Sequence, residues 1–356
     1  MNATEGLSLL DLYQAGQSAH TYRIPALIVS NEGTLLAFAE ARRDGDGDAG
    51  DIDLVLRRST DGGDTWSEVI TVWDDAANTC GNPAPVVERE SGRIWLPMTW
   101  NLSSDRERDI IAGRSAQPRR PYMTYSDDDG QTWAPARELP ELRQPHWGWY
   151  ATGPGNSIQM TLGEFAGRIV VPANHSDTQS GTGHYYRSHV FYSDDRGETW
   201  VLGGTAGPAT NESAVVERDD GSLMLNMRSY AGRNRRAVSL STDGGASWTE
   251  PVLDQALIEP LCQASMVRDG RAEGHAGSGQ ILFANPASTE RERLTLRVSY
   301  DEGDSWDDEI LVYSGSSAYS SIVVLPDDSV CILFERDNYQ TITFTRLASE
   351  KVRGFA

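Results

Sequence analysis

The sequence predicts an all-β fold, a six-bladed β-propeller of four-stranded antiparallel blades. Three observations predict it. An eight-residue turn pattern recurs five times, a pair of short apolar strands recurs six times, and no amphipathic helix of ten or more residues interrupts them.

The turn pattern is Ser-x-Asp-x-Gly-x-Thr/Ser-Trp. Its copies run from Ser59 to Trp66, Ser126 to Trp133, Ser193 to Trp200, Ser241 to Trp248 and Ser299 to Trp306. The Asp bonds its own backbone to shape a turn, the Gly supplies a positive φ, and the Trp packs beneath. Each copy reads as a hairpin connection with an apolar plug, a structural device and not a catalytic one.

The strand pairs start at Arg23, Asn82, Asn156, Glu212, Cys262 and Tyr319 and return at Leu35, Ile94, Ile169, Leu223, Ile281 and Val330. Each of the first five is followed by a boxed hairpin, and the sixth ends in the run from Thr341 to Thr345. Units of four strands are the size of propeller blades, here about residues 21–76, 81–140, 153–205, 210–254, 261–314 and 318–347 of a single domain, 1–356. The segment before the first blade is expected to help close the last. The repeat is expected to take up nearly the whole chain, with no appended lectin module or stalk.

Bulk properties narrow the function. At 356 residues and 38% hydrophobic the chain can bury a sizeable core, and a repeat array of this length forms one domain. A net charge of −21 argues against nucleic acid, although a local arginine cluster can still hold a small anion. Three scattered cysteines make no disulfide framework, and the six histidines show no metal-ligand spacing, so neither metal nor cofactor is expected. The start has no basic and apolar leader pattern and no apolar run is long enough to span a bilayer. A soluble chain without membrane insertion is expected, cytoplasmic or secreted.

If the innermost strand of each blade begins at the top of the axis, the boxes fall on the bottom face. The first residues of the inner strands, Arg23, Asn82, Asn156, Glu212, Cys262 and Tyr319, then line the top of the central channel. The second strands and the loops after them add Arg42, Arg228 and Arg291, together with the acidic, Gly-rich stretch 44–51. Several guanidiniums aimed at one point describe a carboxylate or phosphate site, since each bonds such a group bidentately.

These residues, in this order, resemble the Asp-box exo-α-sialidase (neuraminidase) family of bacteria and animals. The resemblance covers about residues 20–346. It rests on Tyr22-Arg-Ile-Pro-Ala-Leu27, the five boxes, the stretches 153–159 and 211–217, and Ala318-Tyr-Ser320. It implies an arginine triad of Arg23, Arg228 and Arg291 for the substrate carboxylate, and Arg42 near the C4 side of the sugar. It implies Tyr319 as nucleophile, Glu212 as the acceptor of its proton, and Asp48 as acid/base, with Asp44 and Asp46 as alternatives in the same loop. The implied partner is a sialylated glycan or glycoconjugate, hydrolysed with retention. A phenol suits a substrate bearing a carboxylate on its anomeric carbon, because an anionic Asp or Glu nucleophile would meet charge repulsion.

Blander readings stand beside these. A lone arginine on a strand is usually paired or solvated, and Tyr319 alone would read as a core aromatic. Cys262 reads as a pocket wall. Trp147 and Trp149 face the leaving group or pack inside, and the loops 101–121 and 174–187 read as specificity elements. Rival functions on the same scaffold are a hydrolase or transglycosylase for another ulosonic acid, such as a deaminated sialic acid, and a non-catalytic sialoglycan-binding propeller. A lectin needs neither Tyr319 nor Glu212. A protein-interaction propeller needs no arginines converging on its axis.

Overall fold

Strands Leu35–Arg42, Ile94–Asn101 and Thr210–Glu217 are buried along their whole length, which happens only when a sheet is covered on both faces. The computed structural model, which describes residues 7–177, 186–269, 279–306 and 308–353, shows what covers them. Four-stranded antiparallel sheets follow one another in a propeller-like array, and each apolar layer is shared by two consecutive sheets. Phe38, Leu54 and Leu56 of the first interlock with Ile94, Leu96 and Met98 of the second. Leu223, Leu225 and Met227 pack against Val170 and Val190 of the sheet before them. The last sheet, through Leu333, Ile342 and Phe344, packs against Leu35, Ala37 and Ala39 of the first.

Within a sheet the strands pair in sequence order, as in Thr210–Glu217, Leu223–Ser229, Arg235–Ser241 and Val252–Ile258. Strand Asp308–Val324 spans two sheets: its first half pairs with Glu292–Ser299 and its second with Val330–Arg336. The N-terminal strand Leu10–Gln14 pairs antiparallel with Thr341–Leu347, so the start of the chain completes the last sheet as expected from the sequence. The described α-helices are short, Glu107–Ile111 and Ser349–Arg353.

All five boxes join the third strand of a sheet to its fourth and repeat one bonding scheme. In the first, Ser59 Oγ donates to Asp61 Oδ1 (2.7 Å), and the amides of Gly63 and Thr65 donate to Ser59 Oγ and Asp61 Oδ1, both at 2.9 Å. The box glycine is needed for contact as well as for its positive φ. A Cβ on Gly63 would lie 2.4 Å from Phe344 of the last sheet, and one on Gly130 2.3 Å from Leu36 of the first. Gly197 presses on Trp95 and Gly303 on Met224 in the same way, each against the preceding sheet.

The sequence reading departs from the structure in the third sheet. Its inner edge begins at Trp147, because Trp147–Thr152 and Ile158–Gln159 both pair with Ile169–Asp177. The Gly153-Pro154-Gly155 stretch between them, with φ +45° and +116° at its glycines, breaks the strand. Asn156 consequently lies below the break, bonding Ile322 O (2.9 Å) and Ser321 Oγ (2.8 Å), and it lines a different cavity from the one lined by Arg23, Arg228 and Arg291.

Candidate active site

Side chains at the upper ends of the inner strands enclose a cavity of about 180 Å³. Of the residues singled out from the sequence, Arg23, Arg42, Asp48, Asn82, Glu212, Arg228, Arg291 and Tyr319 line it. Asn156 does not, and Cys262 lies behind the wall, packed with Ile24, Ala318 and Tyr319.

Arg23 is aimed by a backbone irregularity. Its strand shifts register between Arg23 and Ala26, and Ile24 adopts φ 58°, a rare conformation for a β-branched residue. Glu335 holds that turn in place. Its Oε1 accepts from the Ile24 amide (2.8 Å) and from Arg23 Nε (2.7 Å), and its Oε2 from the Tyr319 amide (3.1 Å). One buried carboxylate thus positions two cavity residues that are far apart in sequence. The Arg23 guanidinium lies 3.9 Å from the Tyr339 ring centroid and 5.5 Å from that of Tyr319.

At the centre, Tyr319 Oη donates a 2.5 Å hydrogen bond to Glu212 Oε1. Arg228 Nη1 donates to Glu212 Oε2 (2.9 Å) and approaches Tyr319 Oη at 3.5 Å. Burial drives the phenol well above its ordinary value, the Glu212 charge adds to this, and Arg228 and Arg291 pull it back. Among the described residues Arg291 donates to two neutral acceptors, Tyr339 Oη (2.9 Å) and Leu261 O (3.1 Å), which leaves its charge available to an anion.

Across the cavity, Glu40 accepts from Arg42 through Oε2 (2.7 and 3.0 Å) and from the Asn82 amide through Oε1 (2.8 Å). Arg42 also bonds Asp46 O (2.5 Å) and pairs with Asp48 Oδ1 (2.8 Å). Of the three candidates Asp44, Asp46 and Asp48 in the Gly-rich loop, Asp48 is the one lining the cavity, with its side chain 60% exposed. Partial desolvation by the cavity wall raises its carboxyl, but Arg42, Arg23 and Arg119 outweigh this and hold it below the ordinary carboxylate range.

The sequence reading missed Glu40, Glu335, Glu107, Arg119, Tyr230 and Tyr339. A signal for the first two was present: each is an acid near the end of an otherwise apolar second strand, Leu35–Arg42 and Val330–Arg336. The paired tryptophans divide. Trp149 lines the cavity beneath Arg119, whereas Trp147 is buried and stacked on His175 at 3.5 Å. Loop 101–121 supplies Glu107 and Arg119. Loop 174–187 supplies Tyr186, whose Oη donates to Glu107 at 2.5 Å, while its residues 178–185 lie outside the described residues. Among the described residues no three His, Cys, Asp or Glu side chains are grouped to hold a metal ion, and no helix is long and apolar enough to cross a membrane.

The chain is similar to known proteins along most of its length. Residues 33–332 match the family model described as a BNR repeat-like domain. Over 328 residues the chain is 34% identical to a sialidase of Micromonospora viridifaciens, covering 88% of this chain and 50% of that protein. It is 30% identical over 354 residues to an exo-alpha-sialidase of Aspergillus fumigatus, covering 92% and 81%. The solved structure of the Hadza microbial sialidase Hz136 superposes with a TM-score of 0.85 at 30% identity, covering 96% of this chain and 68% of that one. The chain thus spans half the length of its Micromonospora relative.

Proposed function

This chain belongs to the sialidase family built on BNR-like repeats, and from that premise we propose that it is an exo-α-sialidase releasing terminal sialic acid with retained configuration. The observation that carries the proposal is the Tyr319–Glu212 hydrogen bond standing among three arginines. The scaffold is read as one propeller of six blades. The packing of the last sheet on the first and of Gly63 on Phe344 supports a closed ring.

Arg23, Arg228 and Arg291 bind the substrate carboxylate, which sits on the anomeric carbon, C2. Charge-assisted bonds of this kind contribute about 1.5–3 kcal/mol each. Arg42, fixed by Glu40, meets the C4 side of the ring. Asp48 donates its proton to the glycosidic oxygen as the C2–O bond breaks. Tyr319 Oη attacks C2 while Glu212 takes the phenol proton, giving a tyrosyl glycoside. Asp48, now the carboxylate, removes a proton from water, and the water oxygen attacks C2. The Tyr319 oxygen leaves and recovers its proton from Glu212. Two displacements at one carbon retain configuration.

The substrate prepares the acid. Arg42, Arg23 and Arg119 depress Asp48. A bound carboxylate neutralises part of that positive field, raising Asp48 toward the protonated form that the first step needs.

Proton NMR of a sialoside digest tests the proposal. The α-anomer of the free sugar is expected first, followed by mutarotation; initial release of the β-anomer would contradict the mechanism.

A further inference from the structure

The arginines assigned to the carboxylate come from the first, fourth and fifth sheets, and Tyr319 from the last. The second and third sheets form the facing wall, where Glu107, Arg119, Trp149 and Ala151 line the cavity. In a pyranose ring pinned at C2, the opposite carbon is C5. Its substituent therefore points at this wall.

The wall is polar and rigid. Arg119 is only 2% exposed, its Nε donates to Thr99 Oγ1 at 3.0 Å, and its guanidinium lies 4.2 Å from the Trp149 ring centroid. It thereby covers one face of the indole. Its terminal nitrogens, one of them close to Gly81, are held at the cavity wall. Glu107 stands nearby, steadied through one oxygen by Tyr186. Among the described residues, Ile24 and Ala151 are the only aliphatic side chains lining the cavity, and Ile24 follows Arg23 on the opposite wall.

Resting on the hydrolase reading above, we infer that Arg119 is a specificity-determining residue that reads the C5 substituent, favouring ulosonic acids with a C5 hydroxyl over those with a C5 acetamido group. A hydroxyl accepts a charge-assisted bond from the guanidinium within a short reach. An acetamido group extends further, and its methyl meets a buried cation and a carboxyl in place of an apolar pocket. A buried guanidinium left without an acceptor is penalised more heavily than a missing methylene contact.

The test uses two 4-methylumbelliferyl α-ketosides that differ only at C5, hydroxyl against acetamido, with the full chain and its Arg119→Met and Arg119→Lys variants. Met keeps the length and apolar stem over Trp149; Lys keeps a cation. Wild type is expected to favour the hydroxyl ketoside by about tenfold or more in kcat/KM. The preference should fall by about tenfold in Arg119→Met and survive in part in Arg119→Lys. A wild-type preference for the acetamido ketoside overturns the assignment whether or not the variants fold, as does an unchanged ratio in Arg119→Met. Hydrolysis of neither ketoside by folded wild type overturns the hydrolase reading itself, a distinguishable failure.

Discussion

The phenol of Tyr319 donates to Glu212 across a separation of 107 residues, at 2.5 Å, inside a cavity otherwise rich in arginine. A hydroxyl this deeply buried is a poor nucleophile unless a base stands against it. Glu212→Gln keeps the shape and removes the base. The variant is expected to lose about two orders of magnitude or more in kcat with a small change in KM, measured by steady-state kinetics. Equal losses of affinity and turnover would assign Glu212 to binding alone.

Arg291 tests the anion site, because its protein partners are neutral. Arg291→Ala is expected to weaken binding of free sialic acid by about 2–3 kcal/mol, read by calorimetry. Unchanged affinity would remove it from the carboxylate site.

The arginine field around Asp48 has a kinetic signature. Because the free site holds this carboxyl below its ordinary range, kcat/KM should begin to fall at lower pH than kcat, which reports the complex carrying the added negative charge. Coincident alkaline limbs would contradict it. Asp48→Asn should slow sialosides with poor leaving groups far more than those with activated phenols, which need little protonation.

Acid stability follows from two depressed sets. Burial lowers His189 to about 3 and lowers His175 further, with each ring within reach of the other at 3.0 Å. Their folded values lie below the unfolded value of about 6.5, so their contribution is complete above that pH and is lost progressively toward 3. The box carboxylates behave alike at lower pH. Bonds from Thr65 and Ser59 hold Asp61 at about 2, so its contribution is complete above about 4 and disappears as pH approaches 2. Urea midpoints measured from pH 7 to 2 should therefore decline below about 6.5 and more steeply below about 4, and a flat profile would refute this account.

The box glycines provide a test of packing. Gly63→Ala drives a Cβ into Phe344 at φ +100° and should cost about 1–3 kcal/mol in chemical denaturation while leaving kcat per folded molecule unchanged. Gly16→Ala, also at positive φ but with nothing within 4 Å of the added carbon, should cost less.

Much of this architecture is legible in the sequence because a repeat writes the same physics several times. Ser59, Asp61, Gly63 and Thr65 bond as their four counterparts do, and the strand starts at Arg23, Glu212 and Tyr319 share a frame that brings them to one cavity. The frame fails where the backbone departs from it. The Gly153-Pro154-Gly155 break sends Asn156 away from the cavity and brings Trp149 and Ala151 to the wall instead. What Glu335 and Arg119 hold is silent in the sequence for another reason, although an acid near the end of an apolar strand marks Glu335. Their roles depend on partners such as Ile24, 311 residues from Glu335, and no local pattern records such a contact.

The most direct test of the central claim is hydrolysis of fluorogenic α-ketosides of both C5 types by wild type and Tyr319→Phe side by side. The account expects turnover by wild type and a loss of about three orders of magnitude or more in the folded variant, with inhibitor affinity retained. Undiminished turnover by Tyr319→Phe would contradict it, since the glycosyl group would then have to pass through another residue or directly to water.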